Sequence, residues 1–64
     1  MMDENEKYYV CLGMRTYGGA FVKGLGQALM SADQNNRELI KSTWPKLWDQ
    51  YLEMGKKLHA QQEG

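Results

Sequence analysis

Cys11 is the only cysteine in a 64-residue chain that also carries a single histidine. An intrachain disulfide needs a second thiol, and a structural zinc of the usual kind needs four Cys or His ligands, so neither staple is open to this chain. The fold must be held by its own apolar core. A domain this short buries only about 60% of the surface its unfolded form exposes, which leaves little margin. Burial against another chain is the other way to add apolar contact. Self-association as a homodimer, or docking on a larger protein, is therefore the expectation.

Charge narrows the partner. Eight basic and eight acidic side chains cancel, and the sequence pI is near 6.5. A protein that grips phosphates carries a basic excess on one face. Here the only adjacent basic pair is Lys56-Lys57, so nucleic acid is not an expected partner. No apolar run approaches the roughly 18 residues of a membrane span. Asp3, Glu4 and Glu6 open the chain where a signal peptide would place basic and apolar residues, so a cytoplasmic protein with a reduced thiol is expected. Two Trp, four Tyr and one Phe speak against disorder.

Helical spacing dominates from Thr16 onward. Phe21, Leu25, Ala28, Leu29 and Ala32 recur every three or four residues, predicting a helix over about 16–32 with Thr16 as its cap. Gly18, Gly19, Gly24 and Gly26 lie within it, each costing about 0.5–1 kcal/mol in a helix interior. Ala20, Gly24 and Ala28 fall four apart as a small-residue ridge. Such a ridge lets another backbone come close, either that of a second chain or one beneath a bulky side chain such as Trp48. Polar residues 31–36 read as a turn, with Asp33 or Asn35 capping a helix over 34–43. Trp44 precedes Pro45 and so avoids the helical region, while Pro45 suits the first turn of a helix over 45–59. One kinked helix across 34–59 is the alternative, because the apolar phase carries through the proline. Leu47, Trp48, Tyr51, Leu52, Gly55 and Leu58 form its inner stripe.

The ends are harder to place. Residues 7–12 read Lys-Tyr-Tyr-Val-Cys-Leu, a β-favouring run with no partner strand, so 1–13 is expected as an extended arm and 60–64 as a frayed tail. A helical turn within 7–12 is the other possibility. The fold class is thus all-α: a single domain spanning 1–64, with three helices and an N-terminal arm.

Catalysis needs convergent groups, and none are evident. Cys11 and His59 have nothing to orient them as nucleophile and base, and Asp49 with Glu53 reads better as a solvated face laced with lysines. No metal ligands, no cofactor and no catalytic residue are expected. Gly13 to Gly18 has the opening spacing of a P-loop, but Gly19-Ala20 follows where Lys and Ser or Thr are required. Gly24-Leu-Gly26 lacks the third glycine of a dinucleotide fingerprint. What survives is an anion site in which Arg15, Gly18, Gly19 and Lys23 meet phosphates at a helix start.

Tyr17-Gly18-Gly19 with Phe21-Val22, then Ala32-Asp33 with Asn36, Leu39 and Lys41, then Trp44-Pro45, Trp48 and Tyr51 give the chain a resemblance. It resembles small uncharacterised all-α accessory proteins of bacteriophages and prophages, over about half its length. It departs from them at Trp44, where Phe is expected before the proline. The resemblance implies no activity for any residue. It implies a setting: such proteins often bind and block host proteins, including antiviral defence machinery, in the cytoplasm of a bacterial cell. The leading expectation is a non-enzymatic protein-interaction module using Tyr8, Tyr9, Ala20, Gly24, Ala28 and Trp44. The competing one is a small oligomeric nucleotide or anion binder using the Arg15–Lys23 segment.

Overall fold

The structure, a computed structural model, describes residues 4–63, with side chains from 5 to 61. They form α1 (Glu4–Tyr17), α2 (Ala20–Met30), α3 (Gln34–Thr43) and α4 (Pro45–Glu63). The all-α class stands, with four helices in place of the expected three. Residues 1–3 and 64 of the expected arm and tail lie outside the described residues.

The added helix is the segment expected as an extended arm. A lone strand leaves its backbone groups without partners, whereas a helix satisfies them within the segment. Helical winding also puts Val10, Cys11 and Met14 on one side, where all are buried. Packing outweighs the β preference of Tyr8, Tyr9 and Val10, since propensity is worth only a few tenths of a kcal/mol per residue. The supposed frayed tail is corrected too, because α4 continues through residues 60–63.

Helix α1 is the hub, packed chiefly on α4 and next on α2. Val10, Cys11 and Met14 from α1, Leu25 and Leu29 from α2, and Trp48 and Tyr51 from α4 make the core, with Val22, Ala32, Ile40, Leu47, Leu52 and Met54 around it. The crossing of α1 and α4 is reciprocal. A Cβ added at Gly55 would overlap the Tyr9 carbonyl, and one at Gly13 would overlap the Tyr51 carbonyl and stand 3.2 Å from the Gly55 amide nitrogen. Each glycine sits one turn after the residue whose carbonyl meets the other, so the two backbones touch with no side chain between. Only glycine permits that approach.

Local chemistry sets the other boundaries. Gly18 donates its amide to Met14 O at 3.0 Å, and Gly19, not Thr16, stands at the N-cap of α2. The helix expected from residue 16 therefore begins at Ala20. Its last turn closes when Ser31 and Ala32 donate to the carbonyls of Ala28 and Leu29, so it ends at Met30 rather than at residue 32. Asp33 Oδ1 accepts from the Asn36 amide at 2.8 Å and caps α3. Trp44 is the only residue between α3 and α4: its amide donates to Ile40 O, and its carbonyl accepts from the Trp48 amide. Two helices, not one kinked helix, occupy 34–63, joined by a residue at φ −127°, ψ 63°. Among the described residues no helix is long and apolar enough to cross a membrane.

The ridge is the other correction to the packing. Trp48 is buried at 1% exposure, but not against Ala20, Gly24 and Ala28, all of which face solvent. A Cβ at Gly24 would meet nothing within 4 Å.

These contrasts predict opposite effects from one substitution. Gly55→Ala should destabilise by about 1–3 kcal/mol, because overpacking against backbone exceeds the gain in helix propensity. Gly24→Ala should stabilise by about 0.5–1 kcal/mol. Chemical denaturation of the two variants beside the parent checks both. Trp48→Ala should cost about 3–5 kcal/mol, most of the stability of a domain this small, and abolish a cooperative melt near that of the parent.

Candidate functional site

The solvent side of α2 collects half of the six residues expected to meet a partner. Phe21, Gly24 and Ala28 follow the spacing of one helix face, with Ala20 one turn before Gly24. The face is smooth because its central residue has no side chain. At its edge, the Phe21 ring lies edge-on to Trp44, with centroids 5.8 Å apart and planes at 70°. Phe21 is 61% exposed and Trp44 36%. Trp44 reaches this position because the residue before Pro45 cannot continue α3. Ala20, Gly24, Ala28 and Trp44 thus belong to one apolar surface. Phe21, which ties them together, carries the helical spacing of Leu25 and Leu29 in the sequence but not their burial.

Tyr8 and Tyr9 lie elsewhere. Their rings form a cluster with His59, at centroid separations of 5.5 to 5.8 Å. His59, near the end of α4, is thus packed against α1. Tyr8 is 48% exposed, while Tyr9 is half-buried with its carbonyl under Gly55.

The residues of the expected anion site are not brought together. Gly18 is buried with its amide on Met14, and Gly19 and Lys23 sit at the N-terminal end of α2. Arg15 turns towards the opposite end, where its Nη1 stands 3.1 Å from the Met30 sulfur. It lines a groove of about 320 Å³ with Lys7, Tyr8, Cys11, Leu12 and Met30. Lys7 was not singled out by sequence reading, since its sharing a face with Cys11 and Arg15 depends on residues 7–15 being helical.

Two further features bear on chemistry. Cys11 is buried, and burial pushes its thiol pKa up against the pull of Lys7 and Arg15. The thiol is therefore held protonated, the opposite of an activated nucleophile. Second, Glu6 accepts the Trp48 indole N–H at 2.6 Å and pairs with Lys41 Nζ at 2.9 Å, while Lys41 lies 5.6 Å from the Trp48 ring centre. The Lys41 bond chiefly, then the indole, holds the Glu6 carboxyl below its ordinary value despite partial desolvation. Lys41 is raised in turn, first by its bond to Glu6. The indole N–H at the core edge is thereby satisfied, and α1, α3 and α4 are tied at one point. Among the described residues no three His, Cys, Asp or Glu groups gather as a metal site.

A carboxyl whose folded pKa is depressed contributes stability above its unfolded pKa, near 4.5, and loses it as pH falls through the folded value. Glu6→Gln should therefore destabilise by about 1–2 kcal/mol at neutral pH, the worth of a hydrogen bond to a charged group. The gap to the parent should close as both are acidified. Urea unfolding along a pH series measures it; a gap constant across that range would show that the carboxylate charge contributes nothing.

No known protein family, curated protein or solved structure matches this chain.

Proposed function

We propose that the protein is a non-enzymatic interaction module that docks on a protein partner through the solvent face of α2 and the adjoining Trp44. One observation carries this reading: Phe21 and Trp44, both large and exposed, stack edge to face beside Ala20, Gly24 and Ala28. Exposed aromatics beside a flat small-residue stripe combine an anchor for a pocket with room for close backbone approach. Nothing in the packing of this chain requires Gly24 to be glycine, since the space above it is open. A partner that comes close would require it. The resemblance to phage accessory proteins suggests the partner class, a host or antiviral-defence protein that the module would inhibit in the bacterial cytoplasm. A second copy of the chain is the competing occupant of the same face, giving a homodimer. The Tyr8–Leu12 segment, being helical, offers no strand to pair across a two-fold axis.

Gly24→Arg and Phe21→Ser test the surface without touching the core. Either should lower partner affinity at least tenfold, about 1.4 kcal/mol or more, while leaving the melting curve within a few degrees of the parent. Glu53→Gln on α4 serves as the control. Quantitative capture from bacterial lysate, comparing these variants, reads the outcome, and light scattering of the purified protein distinguishes a second copy from a foreign partner. A bound protein retained equally by all three variants would overturn the assignment of the face.

A further inference from the structure

The groove on the other side of the molecule has a chemistry of its own. Of the described residues that line it, five come from α1, at positions 7, 8, 11, 12 and 15, and Met30 joins them from the end of α2. Lys7 and Arg15 stand two helical turns apart, about 12 Å along α1, with Cys11 midway. Both line the groove beside Cys11, and their charges pull against the burial that raises its thiol pKa. Between them the lining is apolar: the Tyr8 ring, Leu12, the Met30 side chain and a thiol kept neutral by burial.

The polar contacts of the two cations are unbalanced in charge. Lys7 Nζ donates to the Ala32 carbonyl at 3.3 Å, and Arg15 Nη1 reaches the Met30 sulfur at 3.1 Å. Both acceptors are neutral, and a thioether is a weak one. Lys41, by contrast, is paired with a carboxylate. Among the described residues no carboxylate lines the groove. The two contacts also bracket it, since each cation reaches from α1 to the segment at residues 30–32. At about 320 Å³ the groove lies at the small end of ligand sites, which suits a compact molecule better than a polypeptide.

We propose that this groove binds a small amphipathic carboxylate, its anionic head held between Lys7 and Arg15 over Cys11 and its apolar tail against Tyr8, Leu12 and Met30. The head replaces two neutral acceptors with a charged one, which strengthens both donors' bonds. The tail covers apolar surface that is otherwise wet. This site is separate from the α2 face, so the two stand or fall independently.

Octanoate is the probe, with octanol supplying the tail without the charge and acetate the charge without the tail. In titrations of the isotope-labelled chain followed by NMR, octanoate should shift the signals of Tyr8, Cys11, Leu12 and Met30 saturably, binding at least about tenfold tighter than either control. Raising salt to roughly 0.5 M should weaken octanoate and spare octanol. The double variant Lys7→Gln, Arg15→Gln should lose octanoate binding about tenfold, while Arg15→Lys, which keeps the charge, should retain most of it. Should the double variant lose its cooperative melt, the salt dependence and Arg15→Lys carry the test in the parent fold. Octanol binding as tightly as octanoate, shifts scattered over the α2 face, or indifference to salt would overturn the proposal.

Discussion

The structure depends on the contact of two backbones where α1 crosses α4. Gly13 and Gly55 each lie under a carbonyl of the opposite helix, so the axes come closer than any pair of side chains would permit. That closeness lets Val10 and Met14 reach complete burial beside Trp48 in a chain with very little core to spend. It also adds apolar contact in a chain whose single cysteine allows no intrachain disulfide. Glycine in a helix weakens that helix, but here the loss is offset by dispersion contacts over the whole crossing, which accumulate only when the surfaces meet without a gap.

The same crossing sorts the glycines of the chain into those that pack and those that do not. A Cβ added at Gly26 would stand 3.0 Å from the Met14 Cβ, and one at Gly18 would overlap Val22 at the α1–α2 turn. Gly24, in the middle of α2, meets nothing. The distinction between a glycine that serves the fold and one that does not gives the α2 face its significance. The electrostatics divide in a similar way: Lys41 is bound up with Glu6 and Trp48 in holding α1, α3 and α4 together, whereas Lys7 and Arg15 rest on neutral acceptors.

How much of this is legible in the sequence follows from how local each cause is. The Asp33 cap and the Trp44-Pro45 boundary are decided by neighbouring residues, and the limits of α3 and the start of α4 follow from them. The burial of Trp48 also reads directly from the stripe it shares with Leu47 and Tyr51. Residues 4–17 are different. Tyr, Tyr, Val and Cys in succession favour a strand, and only the partnership with α4, some 40 positions away as in the Glu6–Trp48 bond of separation 42, makes them helical. Since the groove exists only once that segment is wound, Lys7 could not be singled out beforehand. The small-residue ridge was visible as spacing. Which glycines would meet a helix of the same chain was not, because periodicity reports a shared face and is silent on what lies opposite.

The main partner of α1 is α4, so the joint that matters most is made between segments distant along the chain. Short-range contacts form quickly, and those that close long loops wait on chain entropy. Helices α2 and α3, of 11 and 10 residues, are too short to hold alone, and Val10 and Met14 have no final resting place until residues near Trp48 and Tyr51 arrive. During synthesis, then, the early helix must stay reversible, and its run of tyrosines and valine is an exposed, aggregation-prone stretch for that interval. Glu6, Lys7 and Arg15 flank this run with charge, which opposes its association with other chains before the fold is complete.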